Sequence, residues 1–208
     1  MLDSEFASLL LDLSKYTPAS SDTRWPLQVS QHYHLNPFTG AIHIYESQWL
    51  SNVWNNYRYS RILLNQIIID QLRLMADQPE STATMREIGD QYRQVRELMR
   101  QLASDICASV PFQFGLVGAN PDDISDPPRI NSSMGGFTLL FPLYVAGCVD
   151  GGKSPLADWV VGSFTIIARE LGIHQALALS QLLRQEPAMV HWAHDTEDWE
   201  PTGRPVIA

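Results

Sequence analysis

Met134-Gly-Gly-Phe-Thr-Leu-Leu-Phe-Pro-Leu-Tyr-Val-Ala-Gly147 is the stretch whose reading decides the fold. The apolar run extends from Gly136 to Val149. Its periodicity fits a buried helix or a buried strand equally well. The run is too short to cross a bilayer, and Pro142 interrupts it. The flanking segments must therefore carry the decision, and their dominant period is helical.

Downstream, Leu156, Val160, Phe164, Ile167 and Leu171 form a helical stripe, with Gly172 as its C-cap. Residues 174 to 185 make a final short helix. Upstream, residues 115 to 133 hold Gly118, Pro121, Pro127 and Pro128 and read as a long surface loop. Before that loop lies the cleanest helix. Ile88, Tyr92, Val95, Met99, Leu102 and Ile106 recur at alternating steps of four and three residues. Ser81 is its candidate N-cap, and Pro111 ends or bends it. A further stripe starts at Ile42, Tyr45, Trp49 and Val53 and continues through Tyr57, Arg61, Leu64, Ile68 and Leu72. Leu2, Phe6, Leu9, Leu10 and Leu13 mark a short N-terminal amphipathic helix, closed by Pro18 to Pro26. No convincing alternating strand pair is seen. The expectation is one all-α domain over 1–208, with an irregular tail at 187–208.

The 208 residues carry a net charge of −9, which repels phosphate backbones, so no direct nucleic-acid partner is expected. Cys107 and Cys148 are far apart and offer neither a disulfide framework nor zinc-finger spacing. The two could still pair, but two buried thiols in a reducing compartment is the simpler reading. Met1-Leu-Asp-Ser-Glu-Phe lacks the basic start of a secretory signal. A soluble intracellular protein with no membrane partner is expected.

Gly147-Cys-Val-Asp-Gly-Gly-Lys-Ser154 matches the phosphate-binding loop pattern letter for letter. That chemistry needs a strand before the loop and a helix straight after it. No alternating strand–helix pattern surrounds it, so a Gly-rich turn between helices is preferred. Ile67-Ile-Ile-Asp70, which would serve as the magnesium acid, lies in a helical stripe. His191 and His194, with His34 or Asp195, are candidate metal ligands, but their spacing is no strong signature. Ordinary histidines near water, no metal and no cofactor are expected. Tyr57 and Arg61 are four residues apart and can meet on one helix face. Trp49, Trp54 and Trp159 are expected in the core.

Three ordered blocks carry a family resemblance: Val53-Trp-Asn-Asn-Tyr-Arg-Tyr-Ser-Arg-Ile-Leu-Leu-Asn65, Asp105-Ile-Cys-Ala-Ser-Val-Pro-Phe-Gln-Phe-Gly115, and Met134 to Gly147. The third resumes at Trp159 and Arg169 to Ala176. Together they cover about residues 40–185. This pattern resembles the regulatory, ligand-sensing domain of fungal zinc-cluster transcription factors. The resemblance implies an all-α fold, which makes Gly136–Cys148 a helix, and a pocket among the helices for a small molecule or partner. Such factors touch DNA through a separate six-cysteine module, and two cysteines do not make one. Met1 reads as a natural start rather than the edge of a fragment.

A sensing pocket without a DNA module leads to two expectations. The first is a cofactor-independent cyclase or isomerase of fungal secondary metabolism, closing rings on a polyketide- or terpenoid-like intermediate by positioning and proton transfer. Its candidate catalytic residues are Asp70, Asp105, His34 and Tyr57. Arg61, Trp54, Asp150, Tyr144 and Phe141 would bind the ligand. The second is a non-catalytic regulator or metabolite-binding domain. Cytoplasmic placement goes with the first and nuclear with the second, and a homodimer is compatible with either.

Overall fold

The structure, a computed structural model, describes residues 19–21, 38, 41–76, 82–117 and 133–185. Among these the fold is all-α: five helices, with one small two-stranded ribbon. The ribbon pairs β1 (Ala19–Ser21) with β2 (Ile42–Ile44) antiparallel, in the register Ala19 to Ile44. It was not legible as alternation because each strand is three residues long. The helices are α1 (Gln48–Ala76), α2 (Thr82–Gln113), α3 (Ser133–Cys148), α4 (Pro155–Leu171) and α5 (Gln175–Arg184). One apolar core runs through all five and takes in Ile42 and Tyr45 as well. The N-terminal helix, Ser81, the loop core at 118–132 and the tail from 186 lie outside the described residues.

α1 and α2 form a long antiparallel hairpin. The buried seam of α1 is Ser51, Asn55, Arg58, Ile62, Asn65, Ile69, Leu72 and Ala76. These steps alternate four and three, the spacing that keeps one helix face on a partner helix. The seam expected for α2 carries the same spacing and continues through Ser109 to Gln113, both fully buried. The two seams meet in one register. Gln113 donates to Ser51 at 2.9 Å, Asn55 to Ser109 at 2.8 Å, and Leu72 and Ala76 cluster with Ile88 at the far end. Polar pairs thus fill one half of the seam and apolar pairs the other.

This corrects the stripe expected for α1. Ile42 and Tyr45 precede the helix, with Ile42 in β2. Trp49, Leu64 and Ile68 face outward, Trp49 at 72% exposure, so Trp49 is not core. Trp54 and Trp159 do pack against the core, each half-buried. The stripe followed hydrophobicity, whereas the inward face at this end is polar.

α3 packs against α1, α2, α4 and α5 and buries ten of its sixteen residues, while Met134, Phe137 and Phe141 form an exposed face. Pro142 sits within it and Pro111 within α2, and neither ends its helix. α2 instead stops where Gly115 takes a positive φ of 73°. α3 admits close neighbours through its glycines. A Cβ at Gly136 would lie 2.2 Å from Leu171 Cδ1, and one at Gly147 would lie 2.8 Å from Leu183 Cδ2. α4 begins with Ser154 accepting from the Ala157 N–H at 3.1 Å and ends at Gly172, whose φ is 67°. Both thiols are free and buried.

Candidate functional site

Among the described residues, a buried cluster beneath the start of α1 and an open groove above it bring chemistry-bearing side chains together.

The cluster centres on Arg58, which is 3% exposed. Its guanidinium donates to the Tyr45 hydroxyl at 2.6 Å, to Asn55 Oδ1 at 3.0 Å and to His43 Nδ1 at 3.2 Å. Its Nε lies 3.8 Å from Asp105 Oδ2. Its plane also sits over the Trp54 ring, 5.6 Å from the centroid. A guanidinium only donates, so His43 Nδ1 accepts and the ring proton is on Nε2. That nitrogen is 4.0 Å from Asp105 Oδ1. Burial, reinforced by the Arg58 charge and opposed by Asp105, lowers the His43 pKa to about 4. Burial likewise pushes the Tyr45 phenol up, against the pull of Arg58. The cluster therefore holds a neutral imidazole and one cation whose hydrogen bonds go to neighbours. It ties β2, α1 and α2 together.

The groove has a volume of about 500 Å³ and lies between α1 and α3. Trp49, Val53 and Tyr59 form one wall with Asn52 and Asn56 between them; Phe137, Leu140 and Phe141 form the other. Tyr59 and Phe141 meet edge to face at 5.1 Å and close one end. Asn52 is held from below, where Gln113 donates to its Oδ1 at 2.8 Å. Asn56 is exposed. None of the described lining side chains is charged. Such a trough suits an apolar, aromatic-sized group with a few hydrogen-bonding atoms.

The expected site residues do not gather in one place. Asp105 belongs to the buried cluster. Asp70 lies 13 residues along α1 from Tyr57, about 20 Å at the helical rise, and is engaged by Gln66 at 3.0 Å and Arg73 at 3.8 Å. Tyr57 accepts from Arg61 at 2.9 Å and packs on Trp54, so the Tyr57–Arg61 pairing is present as a surface contact. Phe141 lines the groove. Tyr144 lies one turn further along α3. Its phenol is hydrogen-bonded to Cys148, and burial raises its pKa to about 12. His34, His191 and His194 lie outside the described residues. Among those described, no three His, Cys, Asp or Glu side chains are placed to hold a metal ion.

Asp150 belongs to the Gly147–Ser154 turn. Arg96 donates to the Val149 carbonyl at 2.7 Å and to Asp150 at 3.1 Å, and Arg100 reaches Asp150 at 2.9 Å. A helix, not a strand, precedes this turn. Gly152 is glycine because α5 passes over it: a Cβ there would lie 2.0 Å from the Leu183 carbonyl oxygen. The motif match is a packing turn between helices.

Sequence reasoning did not nominate His43, Tyr45, Asn55, Ser109 or Gln113 for the cluster, nor Trp49, Asn52, Asn56, Tyr59 and Phe137 for the groove. One signal was available. Seam spacing continued through polar residues at Ser51, Asn55 and Arg58 and again at Ser109 and Gln113. The blocks quoted for the resemblance also converge here: the first and third supply most of the groove walls, and the second lies beneath.

The class these features define is a helical domain with an uncharged aromatic groove over a buried polar seam. The chain is similar to the transcription factor dbaG of Emericella nidulans, with 28% identity over 201 residues, covering 89% of this chain and 44% of that protein. The chain thus spans less than half the length of that relative. No family model and no solved structure matches the chain. No helix among the described residues is long and apolar enough to cross a membrane.

Proposed function

We propose that this chain acts as a regulatory domain of the fungal transcription-factor kind, taking an uncharged, aromatic-sized small molecule in the α1–α3 groove. The observation that carries the reading is the likeness to a fungal transcription factor along nearly the whole chain. The groove supports it, because the residues behind the family resemblance line and underlie it. Regulation by such a site needs a differential affinity between two states of the protein, not a reactive group. Nuclear action follows from this reading. Of the proton donors expected for ring closure, Asp70 and Asp105 are engaged elsewhere.

The test is a deletion strain of the native fungus complemented with wild-type or Phe137→Asp/Phe141→Asp protein. Both phenylalanines are half exposed or more, so the charges enter the groove with little harm to the core. Deletion should lower a set of neighbouring transcripts together, and the groove variant should fail to restore them. Accumulation of one intermediate with normal transcripts would overturn the regulator in favour of a cyclase or isomerase.

A further inference from the structure

The C-terminal half of α1 has two apolar faces. Ile62, Ile69, Leu72 and Ala76 point into the core. Leu64, Ile67, Ile68, Leu74 and Met75 point outward, each between 45% and 63% exposed. A helix apolar on both sides is normally covered on both sides. With the exposed Gln71 they make an outward stripe free of charge over three turns. Its five apolar side chains expose about 400 Å² per chain, the scale of patch that marks an interaction site.

The pattern indicates what covers it. From Ile67 to Met75 the stripe is symmetric about Gln71: Ile67 and Met75 lie four residues either side, and Ile68 and Leu74 three, while Leu64 lies beyond the overlap. We infer that α1 pairs with α1 of a second copy of this chain, antiparallel, across a two-fold axis at Gln71. In that arrangement Ile67 faces Met75 of the second copy, and Ile68 faces its Leu74. Each contact occurs twice, as an isologous interface requires. The two Gln71 amides meet on the axis and bond to each other. One polar pair inside an apolar seam sets register and orientation. Asp70 flanks the stripe, but Gln66 and Arg73 draw its carboxylate toward the side away from the seam. Two stripes with their polar margins bury about 1,000 Å², the lower bound of a specific interface. The groove at residues 49–59 lies beyond the overlap and stays open.

The experiment uses the full 208-residue chain. Sedimentation should show concentration-dependent mass approaching twice 23.4 kDa. Ile68→Glu/Leu74→Glu places four carboxylates in the seam. It should weaken association at least about a hundredfold, with the helical circular dichroism spectrum unchanged because both positions are exposed. Gln71→Cys should cross-link to itself under mild oxidation, since Cys107 and Cys148 are buried. Ser60→Cys should not, because its copies would lie about 33 Å apart along the helices. A wild-type chain that stays monomeric at about 100 µM overturns the inference, whether the stripe is bare or covered by another part of the chain. So does a dimer indifferent to the glutamates, or one cross-linked as readily through Ser60→Cys.

Discussion

His43→Asn removes one titrating group from the buried cluster while keeping an oxygen acceptor near the position of Nδ1. In the wild-type chain, burial and then Arg58 hold the imidazole down to about 4 from the ordinary 6.5. Between those values the folded chain leaves His43 neutral, whereas the unfolded chain binds a proton there. Stability therefore rises with pH across this window and is lost as pH falls through it. The interval from 6.5 to about 4, at about 1.4 kcal/mol per unit, gives a loss of roughly 3 kcal/mol. Above pH 6.5 this group contributes no slope, and below about 4 it adds nothing more. Urea unfolding followed by circular dichroism from about pH 4 to 7.5 measures the effect. Other acids titrate in the same range, so the difference between wild type and His43→Asn is what counts. The variant should be the less pH-sensitive protein, with the two curves diverging below about 6.5. Parallel curves would refute the reasoning, because they would mean that His43 takes its proton in the folded state as easily as in the unfolded one.

Three further outcomes follow from the packing. Arg58→Leu strands Tyr45, Asn55 and Asp105 together and should cost about 3 kcal/mol or more in urea unfolding, whereas Arg61→Leu, on the surface, should cost under about 1 kcal/mol. Gly152→Ala drives a Cβ into a backbone oxygen and should cost about 3 kcal/mol, while Gly136→Ala meets only the tip of Leu171 and should cost nearer 1; equal melting shifts would contradict this. Ser154→Ala removes the cap of α4 and should cost about 1 kcal/mol, with slower amide exchange surviving beyond the first turn.

Much of the helical layout was readable because it depends on local rules. The α2 seam, the Gly172 cap and the ends of α5 all follow from spacing, backbone freedom and capping chemistry. The candidate site was far less readable. Asp105 was singled out as a site residue, but His43 and Arg58, which meet it from β2 and α1, were not, because nothing in their local context distinguishes them from surface residues. Search by residue type favoured Asp70, Tyr57 and Arg61, whose polar atoms turn to neighbours on their own helix. The Gly147–Ser154 motif misled in the opposite way. Its glycines match a phosphate loop, but Gly147 and Gly152 are small because Leu183 of α5 packs on them, and Gly151 takes a positive φ of 81°.

By itself the sequence determined that this is an all-α chain, and where most of its helices run. Hydrophobic period, caps and breakers act over a few residues and place most of the helices, whereas the run at Gly136–Cys148 reads as helix from the family resemblance and not from its period. Only the tertiary structure decided which face of α1 is the inside. Both faces of its C-terminal half carry Ile and Leu, so hydrophobicity could not choose between them. At its N-terminal half the inward face is polar, and it is satisfied by His43 and Tyr45 just before the helix and by side chains some 47 to 62 residues away on α2, at Asp105, Ser109 and Gln113. Burial of Arg58 is affordable only where those partners already stand in register, and register between two helices is a property of their packing.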